Sequence, residues 1–429
     1  MFFNRGGLYS HEHLTKQFLD KKCVLSLLGA DVQRIIVRRL AIRAFYNKKF
    51  RVSKRAAYFG ILYSMTNTAK AKNTLNKVAV IDLFCGIGGL THGLQRKGFQ
   101  VVAGIDNDPK CEYGYIANNK ARYILDDIAN VSDEDIKQIF GSNKIKVLVG
   151  CAPCQPYSGL NQRKGSKEKM QPLEKFAELI KKVRPDIVSM ENVRGLAKPG
   201  AYPVFSNFLK TLTECGYHFD YKVVNVSDYG VPQNRNRLVL LASLLGQIEL
   251  IEPTHKDKKI KLRDTIGNLP AIEAGEQDKN DPLHFARQLT DINLQRIKAT
   301  PHNGGSSTDW PENLRLECHK KASGKTYEHT VYGRMRWDEP APTMTTQCIG
   351  LGNGRFGHPE QNRAISLREA ALIQTFPKDY KFVKDTSNFI IRDVARFIGN
   401  AVPVKLGEVI GESIKRHLAV YDMPVKAYL

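Results

Sequence analysis

From residue 78 to 243, short apolar runs alternate with helix-patterned stretches, and this rhythm restricts the fold more than any other feature. The pattern predicts strands over 78–84, 101–105, 146–150, 186–190, 221–226 and 238–242. Helical stretches fall between them, as at 90–97 and at 173–183, the latter halted by Arg184-Pro185. Strand and helix in repeated turn read as an α/β fold, a mostly parallel sheet with helices on both faces. After Ser243 the rhythm stops. Residues 246–360 are polar, without regular period, and read as a second, smaller irregular domain. A short helix is expected at 262–269, and helices return at 367–374 and 404–417.

Charge and cysteine content narrow the functional classes. Sixty-five Lys and Arg against 43 Asp and Glu leave +22, which favours a polyanionic partner and excludes an acidic disordered chain. No run approaches the ~18 apolar residues of a membrane span, so no membrane is expected. Eight cysteines in 429 residues are too sparse for a disulfide scaffold, which points to a soluble, cytoplasmic protein.

Residues 1–77 carry 16 Lys and Arg and only three acids (Glu12, Asp20, Asp31), a balance of +13 that leaves +9 for the other 352 residues. Three readings compete for this basic extension: a nucleic-acid-binding arm, a targeting peptide, or a stretch upstream of a true start at Met65. The last is favoured, because no chemistry-bearing motif precedes residue 80.

Four motifs carry chemistry. Asp82-Leu83-Phe84-Cys85-Gly86-Ile87-Gly88-Gly89 joins a strand to a helix, and Asp106 closes the next strand 20 residues after Gly86. A glycine turn followed by an acid at that distance suits a nucleotide-type cofactor held by its ribose. The order is F-x-G-x-G-G rather than G-x-G-x-x-G, so an adenosyl cofactor without a pyrophosphate fits better than a nicotinamide one.

Cys151-Ala152-Pro153-Cys154 follows another strand, at the carboxyl edge where open parallel sheets bind ligands. A zinc half-site lacks a second ligand pair, so no metal is expected. A thioredoxin-like redox pair lacks its fold. The remaining reading makes Cys154 a carbon nucleophile. Glu191-Asn192 is expected just past a buried strand at the same edge, as a helix cap or as a proton-holding acid of raised pKa. Arg235 and Arg237 alternate with Asn at the start of a strand, so both should point to one face and reach Glu191.

Together with Arg368-Glu369-Ala370-Ala371-Leu372-Ile373-Gln374-Thr375-Phe376-Pro377 and Gly399-Asn400-Ala401-Val402-Pro403, these motifs resemble the DNA cytosine-5 methyltransferases of bacteria and phages. The resemblance runs from about 78 to 418. It implies a Rossmann-like catalytic domain over 78–245, a target-recognition domain over 246–360, and a return to the catalytic domain over 361–429.

The family's chemistry assigns Cys154 to attack carbon 6 of a flipped cytosine and Glu191 to protonate ring nitrogen 3. Arg237 would bind the ring carbonyl, and Arg235 would support the thiolate and Glu191. S-adenosylmethionine is the implied cofactor. Its adenine would rest on Phe84 and its methionine end near Gly86 and Gly88. Asp106 would bind the ribose and Asp127 the adenine amino group, with Pro153 and Asn400 completing the pocket and Phe176 and Leu173 as weaker candidates.

The segment 158–171, with Lys164, Lys167 and Lys169, resembles a loop that closes over DNA. Candidate groove readers are residues 302–307, Lys320, Lys321, Lys325, Arg334 and Arg336. The implied partners are double-stranded DNA and a cognate restriction endonuclease or other defence components, with the enzyme itself monomeric. Two alternatives remain: a tRNA cytosine-5 methyltransferase, and a DNA-binding homologue without activity. A chain beginning at Met65 is expected to keep full methyltransferase activity in a labelled-methyl assay. Loss of activity with a folded core would instead favour the DNA-binding arm.

Overall fold

The computed structural model describes residues 75, 77–143, 145–153, 171–198, 200, 202–320 and 330–421, within a compact unit spanning Ala71–Leu429. Its centre is a seven-stranded sheet: β1 (Val78–Leu83), β2 (Gln100–Asp106), β3 (Arg122–Leu125), β4 (Ile145–Gly150), β5 (Ile187–Val193), β6 (His218–Asn225) and β7 (Asn236–Ser243). The order is β3-β2-β1-β4-β5-β7-β6. The first five strands run parallel, whereas β7 is antiparallel to both β5 and β6. The expected α/β sheet is therefore present. β3, absent from the sequence reading, is a four-residue outer strand with no fully buried residue.

Period-two alternation divides the sheet between two cores. Ala79, Ile81 and Leu83 of β1 face one side, with Leu148, Val188, Met190, Leu238 and Leu240. They pack there on α3 (Asp133–Phe140), α4 (Gln171–Val183) and α5 (Pro203–Glu214), which follow α1 (Gly89–Arg96) and α2 (Glu112–Asn118) in the chain. Val78, Val80, Val147, Val149, Ile187, Val239 and Leu241 face the other side. There they meet α1 and the last described helix, over Val404–Tyr421. Those two helices pack backbone to backbone: a Cβ added at Gly93 would lie 2.4 Å from the Val404 carbonyl oxygen.

Beyond β7 come α6 (Leu262–Ile266), α7 (Asp291–Ala299), α8 (Glu317–Lys320), α9 (Leu367–Ile373), α10 (Ile391–Asn400) and α11 (Val404–Tyr421). A third core joins Leu262, Ile266, Met335 and Trp337 to Leu367, Ala370, Phe376, Phe397 and Ile398, so the polar segment and the returning helices share one interior. Polar bridges fasten it to the sheet. Gln233, fully buried before β7, donates to Gln374 Oε1 at 2.9 Å and accepts from the Met344 amide at 2.7 Å. Gln374 in turn donates to the Ile398 carbonyl at 2.6 Å.

Three buried charged side chains are structural. Arg334, expected as a groove reader, is fully buried and donates to the carbonyls of Ile297, Thr300, His358 and Gln361. Desolvation lowers its pKa from 12.5 to about 10. Arg363 and Glu369 form a buried two-pronged pair at 2.7 and 2.8 Å. Burial alone would raise the Glu369 carboxyl, but Arg363 outweighs it and holds the pKa at about 2. Glu369→Gln is expected to cost about 3–5 kcal/mol at neutral pH, because it strands the Arg363 charge in the interior. The folded-state pKa is depressed, so this advantage of the wild type should fade as pH falls through the carboxylate range toward 2. Urea denaturation of both proteins across that range checks the sign.

Candidate active site

The carboxyl edge of the sheet gathers the side chains singled out by the motifs. β1, β2, β4 and β5 end there. β7 runs the opposite way, so its start lies at the same edge, with Arg237 paired to Val193 and Val239 to Glu191. Glu191 lies inside β5 rather than past it, and the diagonal offset of an antiparallel pair brings Arg237 onto its face. Arg237 Nε lies 3.0 Å from Glu191 Oε1, with the glutamate 2% exposed.

Among the described residues Arg235 does not pair with Glu191, and its expected support of the Cys154 thiolate lies outside them. Arg235 precedes β7, so strand alternation does not govern it, and its guanidinium donates to the carbonyls of Met344 (2.8 Å) and Gly399 (3.3 Å). The ion pair with Glu191 belongs to Arg237. Arg235 instead ties the start of β7 to the returning C-terminal segments. Cys154 and the segment 158–170 lie outside the described residues, as do Lys321 and Lys325 and the side chain of Lys320. Arg336 and His302 are exposed, as the groove-reader expectation requires, whereas Ser306 and Ser307 are buried.

Beside Glu191 opens a cavity of ≈ 530 Å³ lined by Phe84, Gly86, Asp106, Asp127, Pro153 and Asn400, all named from the sequence. Elements from both ends of the chain build it: the β1–α1 turn, the loops after β2, β3 and β4, and the last turn of α10. Asp106 Oδ2 accepts from the Gly86 amide at 2.8 Å and Oδ1 from the Asp108 amide at 3.0 Å, so this carboxylate also fastens the glycine turn. Asp127 accepts from Asn107 Nδ2 at 3.0 Å. Phe84 sits at φ 59°, a costly conformation for an aromatic residue, with its ring edge-on to Phe176 at 6.5 Å.

Gly88 and the two weaker candidates are corrected. Gly88 does not line the cavity. It adopts φ 94°, and a Cβ there would meet Asn119 Nδ2 at 2.4 Å, so its smallness serves the packing of the turn. Phe176 and Leu173 are core residues behind Phe84, and Pro172 from the same helix lines the cavity instead.

Among the lining residues to which the sequence reading gave no place in the cofactor site are Asp82, Asn107, Asp108, Cys151 and Arg396. The signal for Asp82 was an acid inside an otherwise apolar strand, VAVIDL. The signal for Cys151 was its even spacing from Val147 and Val149, which puts it on the same sheet face as Glu191. Arg396 of α10 pairs with Asp108 and lays its guanidinium 4.9 Å from the Phe397 ring centre, tying α10 to the loop after β2.

Asp82 is 1% exposed and accepts from Thr91 Oγ1 at 2.7 Å. Burial pushes its pKa from 3.8 to about 7 against that hydrogen bond, and the Asp106 charge adds to the rise. The fold therefore holds the Asp82 proton more tightly than the unfolded chain does. Its contribution to stability is full below pH 3.8 and declines as pH rises through about 7. Asp82→Asn should remove that decline, worth up to ~4 kcal/mol. In urea denaturation at about pH 5 and about pH 8, the variant should gain on the wild type at the higher pH.

Comparison with known proteins agrees with this geometry. Residues 78–416 match the family model of the C-5 cytosine-specific DNA methylases. The chain is 52% identical over 341 residues to the Type II methylase M.HgiDII of Herpetosiphon aurantiacus, covering 79% of this chain and 96% of that one. It is 30% identical over 385 residues to the Type II methyltransferase M.Eco47II of Escherichia coli, covering 86% of each. Among solved structures, the S. pombe Dnmt2 methyltransferase shares the fold with a TM-score of 0.54 at 18% identity, covering 80% of this chain and 99% of that one. The protein belongs to the C-5 cytosine-specific DNA methylases, enzymes that transfer a methyl group to carbon 5 of cytosine in DNA.

Proposed function

We propose that Cys154 is the nucleophile, Glu191 the proton donor to the base, and the acidic cavity the S-adenosylmethionine site of this enzyme. The observation that carries the reading is a buried Glu191 held by Arg237 at the sheet edge, beside a cavity lined by Asp82, Asp106, Asp108, Asp126 and Asp127. Among the described residues, five lining carboxyl groups against one lining arginine, itself paired with Asp108, disfavour a pyrophosphate and favour a cationic sulfonium. The bound cofactor would supply the methyl group. Phe84 offers a ring for the adenine, and Asp106 and Asp127 offer acceptors for ribose hydroxyls and the adenine amino group. Gly86, Pro153 and Asn400 complete the walls.

On the DNA side, carbon 6 of a stacked cytosine is out of reach of any side chain, so the base must leave the helix. The Cys154 thiolate adds to carbon 6, and electron density moves into the ring. Glu191 gives a proton to ring nitrogen 3. Once carbon 5 carries the methyl group, loss of the carbon-5 proton expels the Cys154 thiolate, and the proton on ring nitrogen 3 returns to Glu191. Arg237 orients the Glu191 carboxyl, and Arg235 anchors the turn that leads to Arg237. Residues 246–360 would read the DNA, with His302, Asn303 and Arg336 as exposed polar candidates.

The two Type II relatives support a cytoplasmic modification enzyme paired with a cognate restriction endonuclease. Among the described residues, no helix is long and apolar enough to cross a membrane. Duplex DNA copied with 5-fluorodeoxycytidine in place of deoxycytidine should trap the wild type, with cofactor, as a denaturation-resistant adduct. Cys154→Ser should form none. A wild type that binds this DNA but never becomes covalently attached would contradict the nucleophile assignment. Labelled methyl appearing in total tRNA rather than duplex DNA would contradict the substrate.

A further inference from the structure

Glu191 has two oxygens in different surroundings: Oε1 faces Arg237 as an ion pair without hydrogen-bond alignment, and Oε2 accepts a hydrogen bond. Arg237 Nε approaches Oε1 at 3.0 Å, and the Cys151 thiol donates to Oε2 at 2.8 Å. Cys151 is the first residue after β4, one step beyond the Gly150–Met190 pair of the β4–β5 ladder. That step aligns it with Glu191. Sheet alternation places its side chain on the face of Val147 and Val149, where it packs against the core and lines the cavity. The Cys151 amide donates to the Leu83 carbonyl at 3.3 Å, which fixes the backbone that carries the thiol.

We propose that Cys151 is a positioning residue of the methylation reaction, completing a Cys151–Glu191–Arg237 triad that sets the plane of the Glu191 carboxyl. The proposal rests on the reading of Glu191 as the group that serves the base. A carboxylate gripped at one oxygen can still turn about its last torsion, which is broad and shallow. The Cys151 hydrogen bond on Oε2, added to the Arg237 charge beside Oε1, removes that freedom. Oε1, which no hydrogen-bond donor among the described residues takes, is then aimed in a fixed direction before DNA arrives. Cys151 thus has a role separate from the reactivity of Cys154, although the two lie only three residues apart.

The test uses the full-length enzyme with S-adenosylmethionine and unmethylated plasmid DNA. Cys151→Ala should slow single-turnover methyl transfer roughly 10-fold. With S-adenosylmethionine kept saturating, because Cys151 also lines the cavity, the melting temperature should stay near wild type. Cys151→Ser, whose hydroxyl can donate to the same oxygen, should recover most of the rate. The S–H stretching band that disappears in Cys151→Ala should lie at the low frequency of a bonded thiol, and should rise in Glu191→Gln. Wild-type speed in Cys151→Ala would overturn the proposal. So would equal losses in the alanine and serine variants accompanied by a lowered melting temperature, which would make the residue a packing element. Glu191→Gln at wild-type speed would instead remove the reading of Glu191 itself.

Discussion

A single buried ion pair organises the chemistry of this protein. Glu191 is carried inside a strand and almost wholly removed from water, a position that is costly for a carboxyl unless donors meet it. Arg237 meets it because β7 runs against its neighbours. In an all-parallel sheet the start of that strand would sit at the opposite edge, far from the ends of β1, β4 and β5. The reversed strand therefore provides the active edge with a cation that no βα loop needs to supply. The expectation that both Arg235 and Arg237 would face Glu191 underestimated how abruptly the strand begins.

The second constraint is that the chain must come back to close its own site. Asn400 and Arg396 reach the cavity from α10, more than 300 residues after Phe84. That return is held by the buried Gln233–Gln374 bridge, by Arg235 on the Met344 and Gly399 carbonyls, and by the glycine-mediated contact of α1 with α11. These contacts join the sheet, the polar segment and the C-terminal helices through groups that are satisfied only when all three are in place. The charged surface that would meet DNA is thereby mounted on the body that carries the chemistry.

Much of this was legible in the sequence because period-two apolar runs and glycine turns are local signals. The six expected strands lie within a few residues of the observed ones; the lining by Gly86 and Asp106 follows from motif spacing at the carboxyl edge, whereas that by Phe84, Asp127, Pro153 and Asn400 follows from the family resemblance. The rest depends on tertiary context. β3 is short and half-buried, so its pattern is faint. Arg334 looked like a surface cation, but only the fold reveals the carbonyls that hold it. Gly88 looked like a ligand-facing glycine, yet its demand is for backbone conformation and room for Asn119. Cys151 was weighed only as half of a zinc or redox pair with Cys154, so its contact with Glu191 went unseen.

The dependence of the site on the Glu191–Arg237 pair is measured most directly by a double-mutant cycle on the single-turnover rate, using Glu191→Gln, Arg237→Met and the double variant. If the arginine acts by holding the glutamate, removing it should cost far less once the carboxylate is gone, and the two losses should be strongly non-additive. Losses that simply multiply would mean that the two side chains serve the reaction independently, and that the buried pair is not the organising element of the active edge.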